Sequence, residues 1–176
     1  MKRIITMAAI ATTLVGVTAA KPQTFDVVGT ATDLIAKYES FRATPYICDG
    51  GKKTIGYGCT DPAVVALGQI TEVKARSILR ARVVKELAWV EETFGKNLTG
   101  KQKVALISAV FNIGRQGLCW KTVKGKRVHT RFYDAVIARN WAKANKELQD
   151  WNKAGGKVLN GLVKRRAEEG KLLASV

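Results

Sequence analysis

The chain has 176 residues, which suits one compact domain with its own core and is too short for two ordinary domains. Lysine and arginine number 30 against 14 acidic residues, and the formal net charge of +16 favours a polyanionic partner. The basic residues are spread along the whole chain, which argues against a disordered nucleic-acid-binding tail.

Residues 1–20 have the pattern of a targeting segment. Lys2 and Arg3 precede an uncharged run, residues 4–20, that is diluted by threonine and alanine. As a helix this run would reach about 25 Å, short of the roughly 30 Å hydrocarbon core, so a permanent span is disfavoured. We expect either a cleaved signal peptide or an uncleaved anchor that makes transient contact with the inner membrane. Both alternatives predict export from the cytoplasm to the periplasm.

Residues 21–31 are predicted to be a linker, and residues 32–176 to be the folded domain. A short helix should begin at Thr32 or Asp33 as the cap and end near Arg42, because apolar residues then recur at helical spacing. Residues 46–58, with a turn at 49–51, predict a glycine-rich hairpin. This is the only β signal that we identify in the chain.

The rest of the domain is predicted to be helical. Thr71 can cap a long helix that runs to Phe94, and the capping-box spacing at residues 99–102 opens a second helix that ends at Gly114. A basic loop should follow at residues 115–129. Two further helices are expected at about residues 131–151 and 159–173, separated by a turn at Gly155-Gly156. The fold class is therefore α+β, mainly α, with a small β-hairpin lobe and a helical lobe.

Glu39 is the candidate proton donor. Glycosidases need a carboxylic acid to protonate the leaving oxygen and a second group that positions or activates water. Glu39 lies late in the first predicted helix, where the negative end of the helix dipole disfavours the carboxylate form, and it borders the apolar residues Ile35 and Tyr38.

The spacing around Glu39 is specific. Eight residues separate Glu39 from Cys48, five residues separate Cys48 from Thr54, and Ile-Gly-Tyr-Gly follows at residues 55–58. This stretch resembles the active site of phage-type lysozymes, glycoside hydrolase family 24, and the similarity continues to residue 166. The resemblance implies a lysozyme-like fold, with Glu39 as general acid and Cys48 and Thr54 holding the attacking water.

The resemblance also implies the substrate. Family members hydrolyse the β-1,4 bond between N-acetylmuramic acid and N-acetylglucosamine, so the chain is expected to be a monomeric endolysin acting on peptidoglycan in an anionic envelope. No cofactor, metal or nucleic acid is implied. Substrate contacts are expected from Gly56, Tyr57, Gly58 and Asn112, although Tyr57 and Asn112 could equally be structural.

The predicted water-holding position is a cysteine, where family members more commonly have an aspartate. A thiol is a weak base unless it ionises. Asp49 is therefore an alternative to Cys48. If the hairpin loop is residues 50–52, Cys48 lies directly opposite Thr54. Cys59 and Cys119 offer disulfide partners, so a bridge from Cys48 to either one could hold the enzyme inactive until thiol exchange.

Three other readings remain open. A lytic transglycosylase would also use one glutamate but would release an anhydro sugar. A Cys-His peptidase would need Cys48 or Cys59 as nucleophile and His129, the only histidine, as base. A non-catalytic cationic binder of membrane or nucleic acid would need only the charge. The Arg165-Arg166 pair is expected either to be solvated or paired with Glu168 or Glu169, or to lie near the catalytic acid.

Overall fold

The computed structural model describes residues 24–48 and 51–175, so the predicted leader, residues 1–20, and Asp49 lie outside the described residues. The helices are α1 (Val27–Glu39), α2 (Pro62–Val65), α3 (Glu72–Phe94), α4 (Gly100–Ile113), α5 (Arg115–Cys119), α6 (Arg131–Ile137), α7 (Trp141–Leu148) and α8 (Asn160–Ala174). Three antiparallel hairpins pair β1 (Arg42–Ile47) with β2 (Lys53–Gly56), β3 (Trp120–Val123) with β4 (Lys126–His129), and β5 (Lys153–Ala154) with β6 (Lys157–Val158).

Helix α4 is the centre of the fold. Nine of its side chains are buried, and it contacts α1, α3 and α8. The predicted capping box is present, since the Thr99 hydroxyl accepts from the Gln102 amide at 3.2 Å and the Gln102 side chain accepts from the Thr99 amide at 2.9 Å. This helix carries Ser108 and Asn112 towards the first and last helices of the domain.

Helix α1 begins earlier than the sequence predicted. Its cap is Asp26, whose carboxylate accepts from the Gly29 amide at 2.8 Å, so residues 27–31 are helical and not a linker. Thr32 is instead a buried residue inside the helix, and its hydroxyl donates to the Val28 carbonyl at 2.7 Å. The sequence predicted a cap at Thr32 or Asp33, whereas burial places Thr32 inside the helix and the earlier Asp26 is the cap.

The prediction of a basic loop at residues 115–129 was wrong. The segment forms α5 and the β3–β4 hairpin, in which Trp120 pairs with His129 and Val123 with Lys126. Lys124 and Gly125 make the turn with φ values of 49° and 75°, and positive φ at both positions matches a type I′ hairpin turn. The third hairpin, β5–β6, is closed by the predicted Gly155-Gly156 turn.

The predicted helix at residues 131–151 is divided in two. Arg139 adopts a φ of 55°, which a continuous helix does not allow, and Asn140 caps α7 by accepting from the Lys143 amide at 3.0 Å. Helices α3 and α8 lie where they were predicted. Across the described residues, no helix has both the length and the apolar character that a bilayer span requires.

Candidate active site

Glu39 is the last residue of α1, and its side chain is 23% exposed. Ser40 follows with a φ of 51°, which ends the helix and turns the chain into β1. The carboxylate faces a cavity of about 280 Å³ where α1, α4 and α8 meet. The lining residues are Tyr38, Glu39, Asn112, Leu159, Gly161, Leu162 and Arg165.

Arg165 holds one oxygen of the Glu39 carboxylate. Its Nη1 donates to Glu39 Oε1 at 2.6 Å, and its side chain is only 3% exposed. The same guanidinium donates from Nε to Glu169 Oε1 at 3.2 Å and from Nη2 to the Ser108 carbonyl at 3.1 Å. This contact fixes the orientation of the Glu39 carboxylate and leaves Oε2 as its other oxygen.

A buried charge cluster supports Arg165 from behind. Glu169 has no exposed surface, and its carboxylate accepts from the Ser108 hydroxyl at 2.6 Å and lies 3.1 Å from Arg166 Nε. Arg166 Nη2 donates to Asn112 Oδ1 at 2.8 Å, which fixes the orientation of that amide at the cavity wall. The pKa of the Glu169 carboxyl is raised, because burial outweighs the lowering effects of Arg166, Ser108 and Arg165.

The sequence predicted part of this cluster. Two of the alternatives for the Arg165-Arg166 pair are confirmed, since both arginines lie beside Glu169 and Arg165 contacts Glu39. The expectation of a solvated pair was wrong, because both arginines are buried. The available signal was the spacing of Arg165, Glu169 and Leu173, which places three residues on one buried face of α8. No sequence feature marked Ser108 as their partner.

Tyr38 forms another part of the cavity wall. Its hydroxyl donates to Glu168 Oε2 at 2.6 Å, and the Arg165 guanidinium lies 5.5 Å from its ring centre. Burial and the hydrogen bond to Glu168 raise the pKa of Tyr38 to about 12. The phenol is therefore a neutral donor at physiological pH and not a candidate base.

The β1–β2 hairpin places Cys48 and Thr54 differently from the expected register. Thr54 pairs with Tyr46, and the Cys48 amide donates to the Lys52 carbonyl at 3.0 Å. Cys48 is therefore two residues beyond Tyr46, the residue that lies directly opposite Thr54. Residues two apart on a strand share a face, so Cys48 and Thr54 remain diagonal neighbours on one side of the hairpin.

Of the three hairpin residues expected to contact substrate, Gly58 is the one beside Glu39. A Cβ atom on Gly58 would lie 3.8 Å from Glu39 Oε2. Gly56 packs instead against α3, where a Cβ would approach Ala75 to 3.1 Å. Tyr57 is buried and its hydroxyl donates to Glu72 at 2.6 Å, so it holds the hairpin against α3 and does not offer a free stacking face.

A larger cavity of about 680 Å³ lies on the other side of this hairpin end. Residues 56–57 and 59–62, Ile70 and one face of α3 line it, and Arg82, on that face, stacks over the Phe111 ring at 3.9 Å. Size alone would select this cavity as the active site. The smaller cavity, however, is the one lined by the candidate acid Glu39 and its partner Arg165.

The three cysteines are thiols in the described structure, and they differ in environment. Cys48 and Cys59 are half-buried, whereas Cys119 is buried at the end of α5. Burial raises the pKa of the Cys119 thiol to about 11. Its thiolate fraction at neutral pH is therefore very small.

We expect Cys119 to react with iodoacetamide far more slowly than Cys59 at pH 8 in native protein. The thiolate is the reacting species, and both burial and the raised pKa suppress it at Cys119. Peptide mass spectrometry over a time course measures the two rates, with urea-unfolded protein as the control in which the difference disappears. Equal labelling rates of Cys59 and Cys119 in the native protein would contradict the burial and the raised pKa of Cys119.

His129 is not placed as the base of a cysteine peptidase. Its ring lies between Trp120 and Tyr133, with centroid distances of 4.1 and 4.0 Å, and its Nδ1 is 3.8 Å from Asp134. It therefore belongs to the β3–β4 hairpin and α6, whereas Cys48 and Cys59 belong to the β1–β2 region.

Comparison with known proteins establishes the family. The family model described as phage lysozyme matches residues 36–169. The chain belongs to the phage lysozyme family. One curated relative, the endolysin of Bacillus phage B103, is 35% identical over 139 residues, which cover 78% of this chain and 49% of the relative. The chain thus spans about half the length of that relative.

Two further similarities support the phage lysozyme assignment. The SAR-endolysin of Haemophilus phage HP1 is 32% identical over 143 residues, which cover 79% of this chain and 76% of the relative. The crystal structure of the active form of P1 phage endolysin Lyz superposes with a TM-score of 0.71 at 26% identity, covering 85% of this chain and 84% of that one. The predicted lysozyme-like fold is confirmed.

Proposed function

We propose that this protein is an endolysin that hydrolyses the β-1,4 bond between N-acetylmuramic acid and N-acetylglucosamine in peptidoglycan. The observation that carries the proposal is Glu39, held by buried Arg165 in a cleft of a phage lysozyme family chain. The names of the relatives support the same conclusion, since both relatives described above are named as endolysins.

Glu39 acts as general acid through one defined oxygen. Oε1 accepts from Arg165, so Oε2, on the side of Gly58, is the oxygen that carries the proton. The absence of a side chain on Gly58 leaves room for the glycan to approach this oxygen. Proton transfer to the glycosidic oxygen then releases the leaving sugar.

Thr54 and Cys48 hold the attacking water on the hairpin face. The Thr54 hydroxyl donates to the Lys52 carbonyl at 2.9 Å, so its oxygen can only accept a hydrogen bond from a water. Accepting from the water orients an oxygen lone pair towards the sugar. Cys48, diagonal to Thr54, supplies the second contact, and Asp49 is the alternative for that role.

Substitutions at the two adjacent positions distinguish these alternatives. We expect Cys48→Ala to lower kcat about tenfold to a hundredfold, and Cys48→Asp to keep or raise activity, because a carboxylate is the better water-holding base. Asp49→Asn should leave kcat within about twofold of the wild type. Steady-state rates on soluble glycan chains measure the effect. If Asp49→Asn lowers kcat while Cys48→Ala keeps the wild-type kcat, the water-holding role belongs to Asp49.

Product analysis tests the reaction class. Purified peptidoglycan sacculi are digested and the soluble fragments are identified by mass spectrometry. A muramidase releases disaccharide peptides with N-acetylmuramic acid at the reducing end and intact stems. Cut stem peptides that disappear in His129→Ala would instead establish a cysteine peptidase. If no soluble product is released, the protein is a non-catalytic cationic binder.

We also propose export to the periplasm through residues 1–20. A SAR-endolysin relative supports this proposal, together with the charged start and uncharged run of the segment. Deleting residues 1–20 should abolish lysis of a Gram-negative host from inside, while the purified truncated protein still digests sacculi. Culture turbidity after induction measures the first result. Normal lysis by the truncated chain would contradict export through this segment.

Disulfide control remains a proposal. Burial makes Cys119 a poor exchange partner, so we favour a Cys48–Cys59 bridge as the inactive form. An external thiol would reduce this bridge and would itself be oxidised. Intact mass after alkylation, with and without reductant, reports the thiols, and inactive protein in which Cys48 is already alkylated without reductant would exclude the mechanism.

A further inference from the structure

The β3–β4 hairpin is a basic element that the proposed catalysis does not use. Four lysine or arginine residues and no acidic residue lie within residues 120–129. The two-residue turn at Lys124-Gly125 joins strands that pair along their whole length, so the hairpin presents its side chains in a fixed arrangement.

The two faces of the hairpin have different surroundings. Cross-strand partners share a face, which puts Trp120, Arg127 and His129 together. The Arg127 guanidinium stacks over the Trp120 ring at 4.4 Å, and the His129 ring lies against Tyr133 of α6. This face therefore packs towards the helical lobe.

The opposite face consists of two lysines and two valines in a checkerboard. Lys121 pairs with Val128, and Val123 pairs with Lys126. All four side chains are exposed, with Val123 at 45% and Val128 at 38%. Each exposed valine therefore lies opposite a lysine, an arrangement that suits a partner accepting apolar and cationic groups side by side.

We propose that this face, Lys121, Val123, Lys126 and Val128 with Lys124 at the tip, docks on an anionic phospholipid surface. Ammonium groups contact lipid phosphates while the short valine side chains enter the boundary between headgroups and acyl chains. An interfacial site of this kind would keep the protein on the membrane surface independently of residues 4–20.

The composition of the face favours lipid over a wall polymer. The exposed charged groups, all lysine ammonium groups, are hydrogen-bond donors only, which suits phosphate oxygens. Saccharide recognition instead needs acceptors and a planar aromatic face, and Trp120 has its ring covered by Arg127 on the other side of the hairpin. Valine offers a sugar hydroxyl no hydrogen bond.

Vesicle co-sedimentation of the full chain tests the proposal, with phosphatidylglycerol–phosphatidylcholine vesicles beside pure phosphatidylcholine vesicles. The test variant is Lys121→Gln with Lys126→Gln. The matched control is Lys143→Gln with Lys146→Gln, two exposed lysines on α7 that remove the same charge. Because residues 4–20 are present in every sample, only differences between variants and between lipids are interpreted.

We expect the hairpin variant to lose about tenfold to thirtyfold in partitioning to anionic vesicles, and the α7 variant to lose less than about threefold. Val123→Ser with Val128→Ser should weaken binding without changing its salt dependence, because no charge is removed. Equal losses in the two lysine variants, or equal binding of the wild type to both lipids, would overturn the proposal. So would a hairpin variant that keeps vesicle binding but loses binding to purified sacculi.

Discussion

Glu39→Gln is expected to lower the rate of peptidoglycan digestion by about a thousandfold while the fold is retained. The amide has the shape of the carboxyl and its oxygen can still accept from Arg165 Nη1, so the contact at Oε1 survives in a neutral form. The amide cannot deliver a proton from the position of Oε2. The loss therefore reports proton donation and not packing.

A matched control separates catalysis from a general effect of charge. Glu92→Gln removes one negative charge from an exposed position on α3, and it should digest sacculi at the wild-type rate. Release of soluble muropeptides measures both variants, and circular dichroism checks their folding. Substantial activity in folded Glu39→Gln would require another proton donor.

Glu169→Ala is expected to destabilise the protein by about 3–5 kcal/mol. Glu169 is fully buried and is the carboxylate that faces both Arg165 and Arg166, so its removal leaves two buried guanidinium groups without their shared anion. Arg165 would also lose a contact that orients it towards Glu39. Urea unfolding followed by tryptophan fluorescence measures the change in unfolding free energy.

The adjacent residue provides the control for this prediction. Glu168 pairs with Lys37 at 2.6 Å, but its side chain is 37% exposed. Glu168 also accepts from the Tyr38 hydroxyl. Glu168→Ala should therefore cost about 1–2 kcal/mol, since an exposed ion pair is worth little and one hydrogen bond is lost with it. If the two variants lost equal stability, the buried cluster would not make the large contribution to the unfolding free energy that its burial implies.

The sequence predicted best where one local interaction decides the structure. The caps at Thr71 and Thr99 and the turn at Gly155-Gly156 are each set by a few neighbouring residues, and all three were predicted correctly. Glu39 is the candidate acid because of its helix position and the spacing of residues 39–58, and its role stays a prediction. Its position at the end of α1 needs only the length of the helix and the break at Ser40.

The sequence failed where distant contacts choose between local alternatives. Asp26 and Thr32 are both acceptable caps, and burial of Thr32 in the core is what excludes the later one. The β3–β4 hairpin was missed because lysine-rich strands lack the alternation of apolar and polar residues that marks a buried face. Its turn, Lys124-Gly125, was the signal that could have identified it.

The chemistry of the site divides in the same way. Residues 39–58 lie close in sequence, so their pattern alone predicts the proposed acid and the proposed water-holding positions. Arg165 reaches Glu39 from 126 positions along the chain, and Ser108 and Glu169 fix it from two further elements. Only the packing of α1, α4 and α8 brings these groups together.

The most direct test of the central claim is digestion of peptidoglycan in water enriched in oxygen-18, followed by mass spectrometry of the released disaccharide peptides. Hydrolysis with Glu39 as acid predicts one oxygen-18 atom at the muramic acid reducing end of each fragment, and no such fragment from Glu39→Gln. Anhydro-muramic acid products without the label would contradict a water-holding site at Cys48 and Thr54, and would make the protein a lytic transglycosylase.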